Sequence, residues 1–187
     1  MCGISGVVGL KNISGLLFEG IRNLEYRGYD SCGVALMNET HLIIKKDIGG
    51  VEEFYRKHSV LQQKSNMGIA HTRWATHGKV TQNNTHPFTS RNGNFAVVHN
   101  GIISNYRSLR DSLKKEGYKF SSETDTEVIA HLLEKFFKKS QNPEKALIKT
   151  LNLIEGTFAL AFICTYLPDQ IFCAKQESPL MLSLIHI

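Results

Sequence analysis

Cys2 directly follows the initial methionine, and a cysteine in this place could serve as an N-terminal nucleophile. A second residue this small normally allows methionine aminopeptidase to remove Met1. Cys2 would then carry a thiol together with a free α-amine, whose pKa near ~8 leaves part of it neutral at neutral pH and able to accept a proton. Nucleophile and base would share one residue. Because a cysteine at position 2 is also compatible with no catalytic role, the rest of the chain has to decide.

Three polar segments contain the other groups that an amide-cleaving cysteine needs. Arg73 can bind a carboxylate through two parallel hydrogen bonds, and Asp125 can neutralise an ammonium group. The side-chain amide of Asn100 and the backbone N–H of Gly101 can both point at a developing oxyanion. An amino acid carries a carboxylate and an ammonium, so these residue types favour an amino acid substrate. Trp74, beside Arg73, could cover it.

Each of these residues also has an interpretation without catalysis. Arg73 could form a surface ion pair, and Trp74 could belong to the core. Asn100-Gly101 is the strongest dipeptide signal for a tight hairpin turn. Asp125 could be a negative charge at a helix N-terminus, worth ~0.3–1 kcal/mol.

The histidines and cysteines do not have the spacing of a metal site or a disulfide framework. Four histidines near the polar segments match neither an H-x-x-x-H nor an H-E-x-x-H pattern: His71, His77, His86 and His99. No cysteine pair has C-x-x-C spacing, and Cys32, Cys164 and Cys173 lie in apolar surroundings typical of core residues. We therefore expect no metal, no cofactor and no disulfide.

Composition favours an ordinary globular domain in the cytoplasm. The chain of 187 residues is 42% hydrophobic and 21% charged. It contains no apolar run of 18 residues and no signal-peptide profile at its start, so we expect no membrane association. The net charge of +5 is not gathered into a basic stripe with interleaved aromatic residues, so we expect no nucleic-acid partner.

The hydrophobic pattern predicts strands and helices that alternate, with several strands in adjacent pairs. Strands are predicted at 3–9, 32–37, 41–47, 67–73, 95–99, 157–166 and 170–175. Helices are predicted at 14–25, 51–63, 105–116 and 143–154, and a further helix begins at a capping box formed by residues 124–127. Ser14 and Ser104 are predicted N-caps, and 74–94 is a long loop. Adjacent strand pairs favour antiparallel sheets covered by helices, an α+β fold.

Several segments together resemble one family, the glutaminase domains of the glutamine–fructose-6-phosphate aminotransferases. The segments occur in family order and cover nearly the whole chain: 2–4, 24–31, 71–78, 86–87, 99–103, 122–127 and 178–180. The resemblance implies one type-2 glutamine amidotransferase domain over residues 1–187. It also implies the N-terminal nucleophile hydrolase fold, a four-layer αββα sandwich of antiparallel sheets between helix layers. Cys32 stands where the family usually has a smaller residue such as alanine, and we expect little effect.

The resemblance also implies a role for each candidate residue. Cys2 would attack the side-chain amide of glutamine, with its own α-amine as the base, acting through a water molecule. Asn100 and Gly101 would form the oxyanion hole. The remaining residues would bind, cover or orient: Arg73 with Thr76 and His77 on the carboxylate, Asp125 on the ammonium, Trp74 on a mobile loop over glutamine, and Arg27 beside the Cys2 terminus.

The implied activity is hydrolysis of L-glutamine to glutamate and ammonia. In the family the ammonia converts fructose 6-phosphate to glucosamine 6-phosphate for amino-sugar biosynthesis, and the full-length proteins are expected to be homo-oligomers. Fructose 6-phosphate would bind to two sugar isomerase domains that this chain lacks. We interpret residues 181–187, which depart from the family pattern, as a truncated or artificial end, so this chain alone is expected to be a glutaminase.

Two other hypotheses remain open at this point. The chain could be a different N-terminal-cysteine amidohydrolase that cleaves another amide. It could also be a glutamine-sensing or partner-binding module without activity, either because Met1 is retained or because the domain is incomplete.

Overall fold

Two four-stranded antiparallel sheets form the centre of the structure, a computed structural model that describes residues 2–9, 11–74 and 79–183. Four strands build the first sheet: β1 (Gly3–Val8), β2 (Ser31–Asn38), β3 (His41–Ile48) and β4 (Met67–Arg73). Their order across the sheet is β1-β4-β2-β3. Every residue of β4 is buried, as expected for a central strand.

The second sheet contains the remaining strands in the order in which they follow one another along the chain. They are β5 (Phe88–Thr89), β6 (Phe95–Ile103), β7 (Gly156–Cys164) and β8 (Phe172–Gln176). β6 and β7 form the longest pairing, nine residues from each strand.

Helices cover the outer face of each sheet. The first sheet carries α1 (Ser14–Arg22) and α2 (Val51–Lys57), and the second carries α3 (Tyr106–Lys115), α4 (Glu127–Ser140) and α5 (Pro143–Leu151). Within the described residues, none of these helices is both long and apolar enough to cross a membrane.

The hydrophobic core lies in three layers because alternate strand residues face opposite sides. Val34 and Leu36 pack toward α1 and α2, whereas their neighbours Ala35 and Met37 face the second sheet. The apolar layer between the sheets contains eight buried side chains: Ala35, Met37, Met67, Ile69, Ala96, Val98, Ala161 and Ile163. The arrangement confirms the predicted α+β sandwich with helices outside both sheets.

Strand β6 continues beyond its predicted end, which excludes the hairpin interpretation of Asn100-Gly101. These two residues stay in register with Ala159 and Phe158 of β7. The pairing persists to Ile103 because β7 offers a partner for each residue, a long-range contact that local turn propensity does not register.

α1 begins at Ser14 as predicted, but the predicted capping roles of Ser14, Ser104 and residues 124–127 are wrong. α1 follows Ile13, and the Ser14 hydroxyl donates to the carbonyl of Gln63. The Ser104 hydroxyl donates to Glu155 O, so no side chain caps α3. α4 begins at Glu127, whose carboxylate accepts backbone N–H groups from an upstream loop instead of closing a capping box. Ser14 and Ser104 bond to partners distant in the chain and Glu127 to a loop just upstream, so each forms a hydrogen bond other than the predicted cap.

Candidate active site

Cys2 is placed by the pairing of β1 with β4. Gly3 lies opposite Thr72, so Cys2 comes beside the residues that follow β4. The backbone N–H of Trp74 donates to Cys2 Sγ at 3.3 Å, and Trp74 O lies 3.6 Å from the same sulfur. The thiol is half-buried and is held against the backbone at the end of β4.

Gly28 allows a loop to pack directly on this part of the backbone. A Cβ atom at Gly28 would lie 2.6 Å from the carbonyl carbon of Arg73 and 2.7 Å from the N of Trp74. Since real Cβ atoms do not approach backbone so closely, glycine is required there. The loop that precedes β2 is thereby brought against Arg73 and Trp74.

Asn100 reaches Cys2 from the other sheet. Its side-chain Nδ2 donates to the backbone carbonyl of Cys2 at 3.0 Å, and its Oδ1 lies 2.9 Å from Nε2 of His71. Both contacts cross from β6 to the first sheet. The amide is therefore held between the cysteine and a buried histidine.

Gly101 has a backbone conformation that other residues rarely adopt. Its φ angle is +125°, and a Cβ atom there would lie 2.0 Å from the carbonyl oxygen of Thr157 on β7. A side chain at this position would force the two strands apart. The close approach to β7 fixes the position of the peptide that follows Asn100.

Arg73 and Asp125 provide charges of opposite sign. Arg73, at the end of β4, is buried, and its Nη1 donates to Lys79 O at 3.3 Å. Burial lowers the pKa of the guanidinium, and its electrostatic interactions with Cys2, Asp30 and Asp125 act against this. Asp125 lies before α4 and not in its first turn, and its Oδ2 accepts the backbone N–H of Ile103 at 2.8 Å.

One cavity of about 570 Å³ is lined by most of these residues. Its lining includes Cys2, Arg27, Arg73, Trp74, His86, His99, Asn100, Gly101, Thr124, Asp125 and residues 178–181. It therefore contains a thiol, a side-chain amide, a cation and an anion, the set of groups that the sequence predicted from separate segments.

Trp74 lies at the surface, so it is not a core residue. Its side chain is 43% exposed and contacts the Tyr29 ring edge-on, with centroids 5.5 Å apart. Arg27 stacks on Tyr26, with its guanidinium 5.2 Å from the ring centroid and its Nε donating to the Tyr26 hydroxyl at 3.0 Å. Its place beside the Cys2 terminus stays a prediction.

Two predicted site residues, Thr76 and His77, lie outside the described residues. Their predicted contribution to carboxylate binding stays a prediction.

Sequence reasoning missed the arrangement of three buried histidines, two of which, His86 and His99, line the cavity. The rings of His71 and His86 are stacked, with centroids 4.0 Å apart and planes 11° from parallel. His86 Nδ1 accepts the backbone N–H of His99 at 3.3 Å, and His99 Nδ1 lies 2.9 Å from Thr126 Oγ1. The sequence places all three in segments that resemble the family, 71–78, 86–87 and 99–103, but the histidines themselves were weighed for metal binding alone.

Burial disfavours the charged form of each of these histidines. Burial lowers the pKa of His71 to about 3, although its hydrogen bond to Asn100 acts in the opposite direction. Burial also lowers the pKa of His86 well below its ordinary value, and the neighbouring His71 adds to the effect. For His99, burial lowers the pKa against the opposing charge of Asp125. Among residues 2–9, 11–74 and 79–183, no group of three His, Cys, Asp or Glu side chains is arranged to hold a metal ion.

Sequence comparison relates the chain to amidotransferases. The profile of a glutamine amidotransferase domain family matches residues 71–182. A glutamine–fructose-6-phosphate aminotransferase (isomerizing) of Aquifex aeolicus is 48% identical over 98% of this chain, and one of Thermococcus kodakarensis is 45% identical over the same share. The chain spans 31% of the length of each of these relatives.

Solved structures show the same fold. The glutamine phosphoribosylpyrophosphate amidotransferase of B. subtilis has a TM-score of 0.74 and 27% identity, covering 88% of this chain and 35% of that one. A glutamine aminotransferase class-II domain protein of Silicibacter pomeroyi has a TM-score of 0.62 at 18% identity, covering 97% of this chain and 79% of that one. The second likeness bears on the fold alone.

Proposed function

The chain belongs to the glutamine amidotransferase domain family, and we propose that it hydrolyses the side-chain amide of L-glutamine with Cys2 as the nucleophile. The observation that carries the proposal is the single cavity that contains Cys2, Asn100, Arg73 and Asp125. These are the groups needed to attack an amide, to stabilise its oxyanion and to bind a zwitterionic amino acid.

The proposed reaction passes through a thioester. The Cys2 thiol gives its proton to the free α-amine of the same residue, through a water molecule, while sulfur attacks the amide carbon. The carbonyl electrons move to oxygen, return to reform the carbonyl, and expel ammonia, which takes up the proton. Water then attacks the thioester, releasing glutamate and restoring the thiol. This mechanism requires removal of Met1, because a peptide nitrogen is not a base.

The tetrahedral oxyanion would lie between Asn100 and Gly101. One N–H of the Asn100 amide donates to Cys2 O, which leaves the second for the substrate oxygen. The backbone N–H of Gly101 is the proposed second donor. Each donor of this kind contributes about 10²–10³ in kcat when it is aligned with the developing charge.

Glutamine recognition is assigned to charged groups around the same cavity. Arg73 would bind the α-carboxylate together with Thr76 and His77, and Asp125 would bind the α-ammonium. Trp74, exposed beside Cys2, would cover the bound amino acid. Two further assignments complete the proposal: Arg27 orients the Cys2 terminus, and residues 1–187 act as one amidotransferase domain.

In a longer protein the ammonia would have an acceptor. The relatives from A. aeolicus and T. kodakarensis carry the name of a fructose-6-phosphate aminotransferase over roughly three times the length of this chain. We propose that this domain supplies ammonia for conversion of fructose 6-phosphate to glucosamine 6-phosphate, with the sugar bound by additional domains. We place the full-length protein in the cytoplasm as a homo-oligomer.

Glutamate formation from glutamine tests the activity, together with the intact mass of the purified chain. Material that has lost one methionine should form glutamate and ammonia, and Cys2→Ala should lose this activity without a change in thermal unfolding. Cys173→Ala is the matched control: Cys173 was predicted to be a core residue but is exposed on β8, so its replacement should leave the rate unchanged.

Three outcomes would contradict the proposal. Unchanged glutaminase activity in Cys2→Ala would exclude the nucleophile. Hydrolysis of another amide in a substrate panel, with glutamine ignored, would favour a different amidohydrolase. Glutamine binding without turnover, in material that has lost Met1, would favour a sensing module.

A further inference from the structure

The amide of Asn100 can hold one orientation because its two neighbours differ in hydrogen-bonding character. A carbonyl oxygen can only accept, so the Cys2 carbonyl at 3.0 Å requires the Nδ2 side of the amide. Oδ1 then faces Nε2 of His71 at 2.9 Å. Because an amide oxygen also only accepts, His71 Nε2 must carry a proton and donate it.

His71 is held in place to make this donation. It is buried on β4, opposite Ile4 on β1 and Gly33 on β2. A Cβ atom at Gly33 would lie 2.0 Å from His86 O, so the absent side chain lets the His86 backbone approach this strand. The His86 ring then stacks on His71 at 4.0 Å, which fixes the plane of the donor.

We propose that His71 is a positioning residue for amide hydrolysis, acting by donation of Nε2–H to Asn100 Oδ1. The inference rests on the proposed glutaminase function. The donation fixes the plane of the amide, so that its second N–H stays directed at the substrate oxygen. It also draws electron density toward Oδ1, which makes the Nδ2–H groups better donors. Without it, Oδ1 loses its partner, and only the bond from Nδ2 to the Cys2 carbonyl restrains the amide, which can then tilt away from the oxyanion.

The tests use two variants that differ in their ability to donate. His71→Phe keeps a flat ring but has no N–H. His71→Gln places an amide nitrogen at about the same distance from the backbone as Nε2. His131→Phe is the matched control, because His131 is a buried histidine on α4 that bonds to Lys119 O and does not line the cavity.

The expected signature is a loss in kcat with little change in KM. His71→Phe should lower kcat about tenfold to a hundredfold. This loss is smaller than the loss of about 10²–10³ in kcat that follows removal of an oxyanion donor itself. His71→Gln should recover most of the lost kcat. The KM of His71→Phe should stay within about threefold of the wild-type KM, since the oxyanion forms only in the transition state. The Cys2 thiol adds to the carbonyl of an aldehyde analogue of glutamine and forms a tetrahedral adduct. The affinity of His71→Phe for this analogue should fall by the same factor as its kcat/KM.

A purely structural role would give a different result. Alkylation of Cys2 by iodoacetamide requires the thiol but no oxyanion donor, so its rate should be unchanged in His71→Phe. Equal losses in alkylation and in kcat, or a kcat within about twofold of wild type, would overturn the inference. If the wild type does not hydrolyse glutamine, the proposed function fails and this inference with it; an active wild type with an active His71→Phe removes the inference alone.

The wild-type protein offers a test that does not depend on a folded variant. The ¹⁵N resonances of the His71 ring should show a neutral imidazole with its proton on Nε2. A ring protonated on Nδ1 alone could not donate to Asn100 and would exclude the proposed role.

Discussion

Replacing Gly101 by alanine tests whether the exact course of β6 matters for catalysis. The new Cβ atom would lie 2.0 Å from Thr157 O, where ordinary contacts begin near ~3.4 Å, so the peptide or β7 must move by more than about 1 Å. The φ angle of +125° adds strain of about 1–3 kcal/mol. A displacement of about 1 Å at a reacting group can cost about 10²-fold in rate. We therefore expect kcat/KM for glutamine to fall about 10²-fold.

Gly93→Ala separates the two contributions. Gly93 also has a positive φ, +73°, but a Cβ atom there would meet nothing within 4 Å. It should lower the melting temperature by a few degrees, since about 1 kcal/mol corresponds to about 2–4 °C in a domain of this size, and leave kcat/KM unchanged. Gly101→Ala should lower the melting temperature further, because the steric clash adds to the backbone strain.

Steady-state glutamate formation and calorimetric unfolding of the two variants decide the matter. A Gly101→Ala variant with kcat/KM within about threefold of wild type would refute the argument, because it would show that the peptide can move without loss. Equal losses of kcat/KM in both variants would show that backbone strain, and not the position of the oxyanion donor, lowers the rate.

Two further predictions concern charged groups. Asp125→Asn keeps an acceptor for the N–H of Ile103 but removes the charge. KM for glutamine should therefore rise about tenfold to a hundredfold, which corresponds to the free energy of one charge-assisted hydrogen bond. KM for an analogue without the α-amine should not rise, and an equal rise for both substrates would contradict the assignment. Lys57 and His58 hold the pKa of Asp47 at about 2, against an ordinary value of 3.8. The ionised Asp47 therefore stabilises the folded state above pH 3.8, and this contribution is lost as the pH falls toward 2. Urea unfolding of Asp47→Asn should show lower stability than wild type at neutral pH and a difference that shrinks over that range; a constant difference would exclude the linkage.

Much of the fold follows from local pattern. Short, mainly apolar runs in segments such as 32–37 and 67–73 predicted β2 and β4, and paired strands indicated antiparallel sheets. Helix ends were less predictable: 14–25 and 51–63 each divide into an α-helix followed by a 3₁₀ turn. Capping failed where Ser14 and Ser104 found partners distant in the chain, because a hydroxyl donates wherever the tertiary structure offers a carbonyl.

The site shows the same division. Residue type made Cys2, Arg73, Asn100 and Asp125 candidates for an amide-cleaving site, and the resemblance to the family implied the role proposed for each. Residue type did not identify His71, because a buried histidine has no distinctive spacing and acquires its meaning from the atom that it faces.

Sequence by itself determined which reactive and charged residue types the chain offers and which short apolar runs form buried strands. The tertiary structure decided which atoms meet. Pairing of β1 with β4 puts the Cys2 thiol on the Trp74 backbone, and packing of the two sheets brings Asn100 to the Cys2 carbonyl, 98 residues away. Such contacts depend on register and close packing between distant segments, which local propensity does not encode.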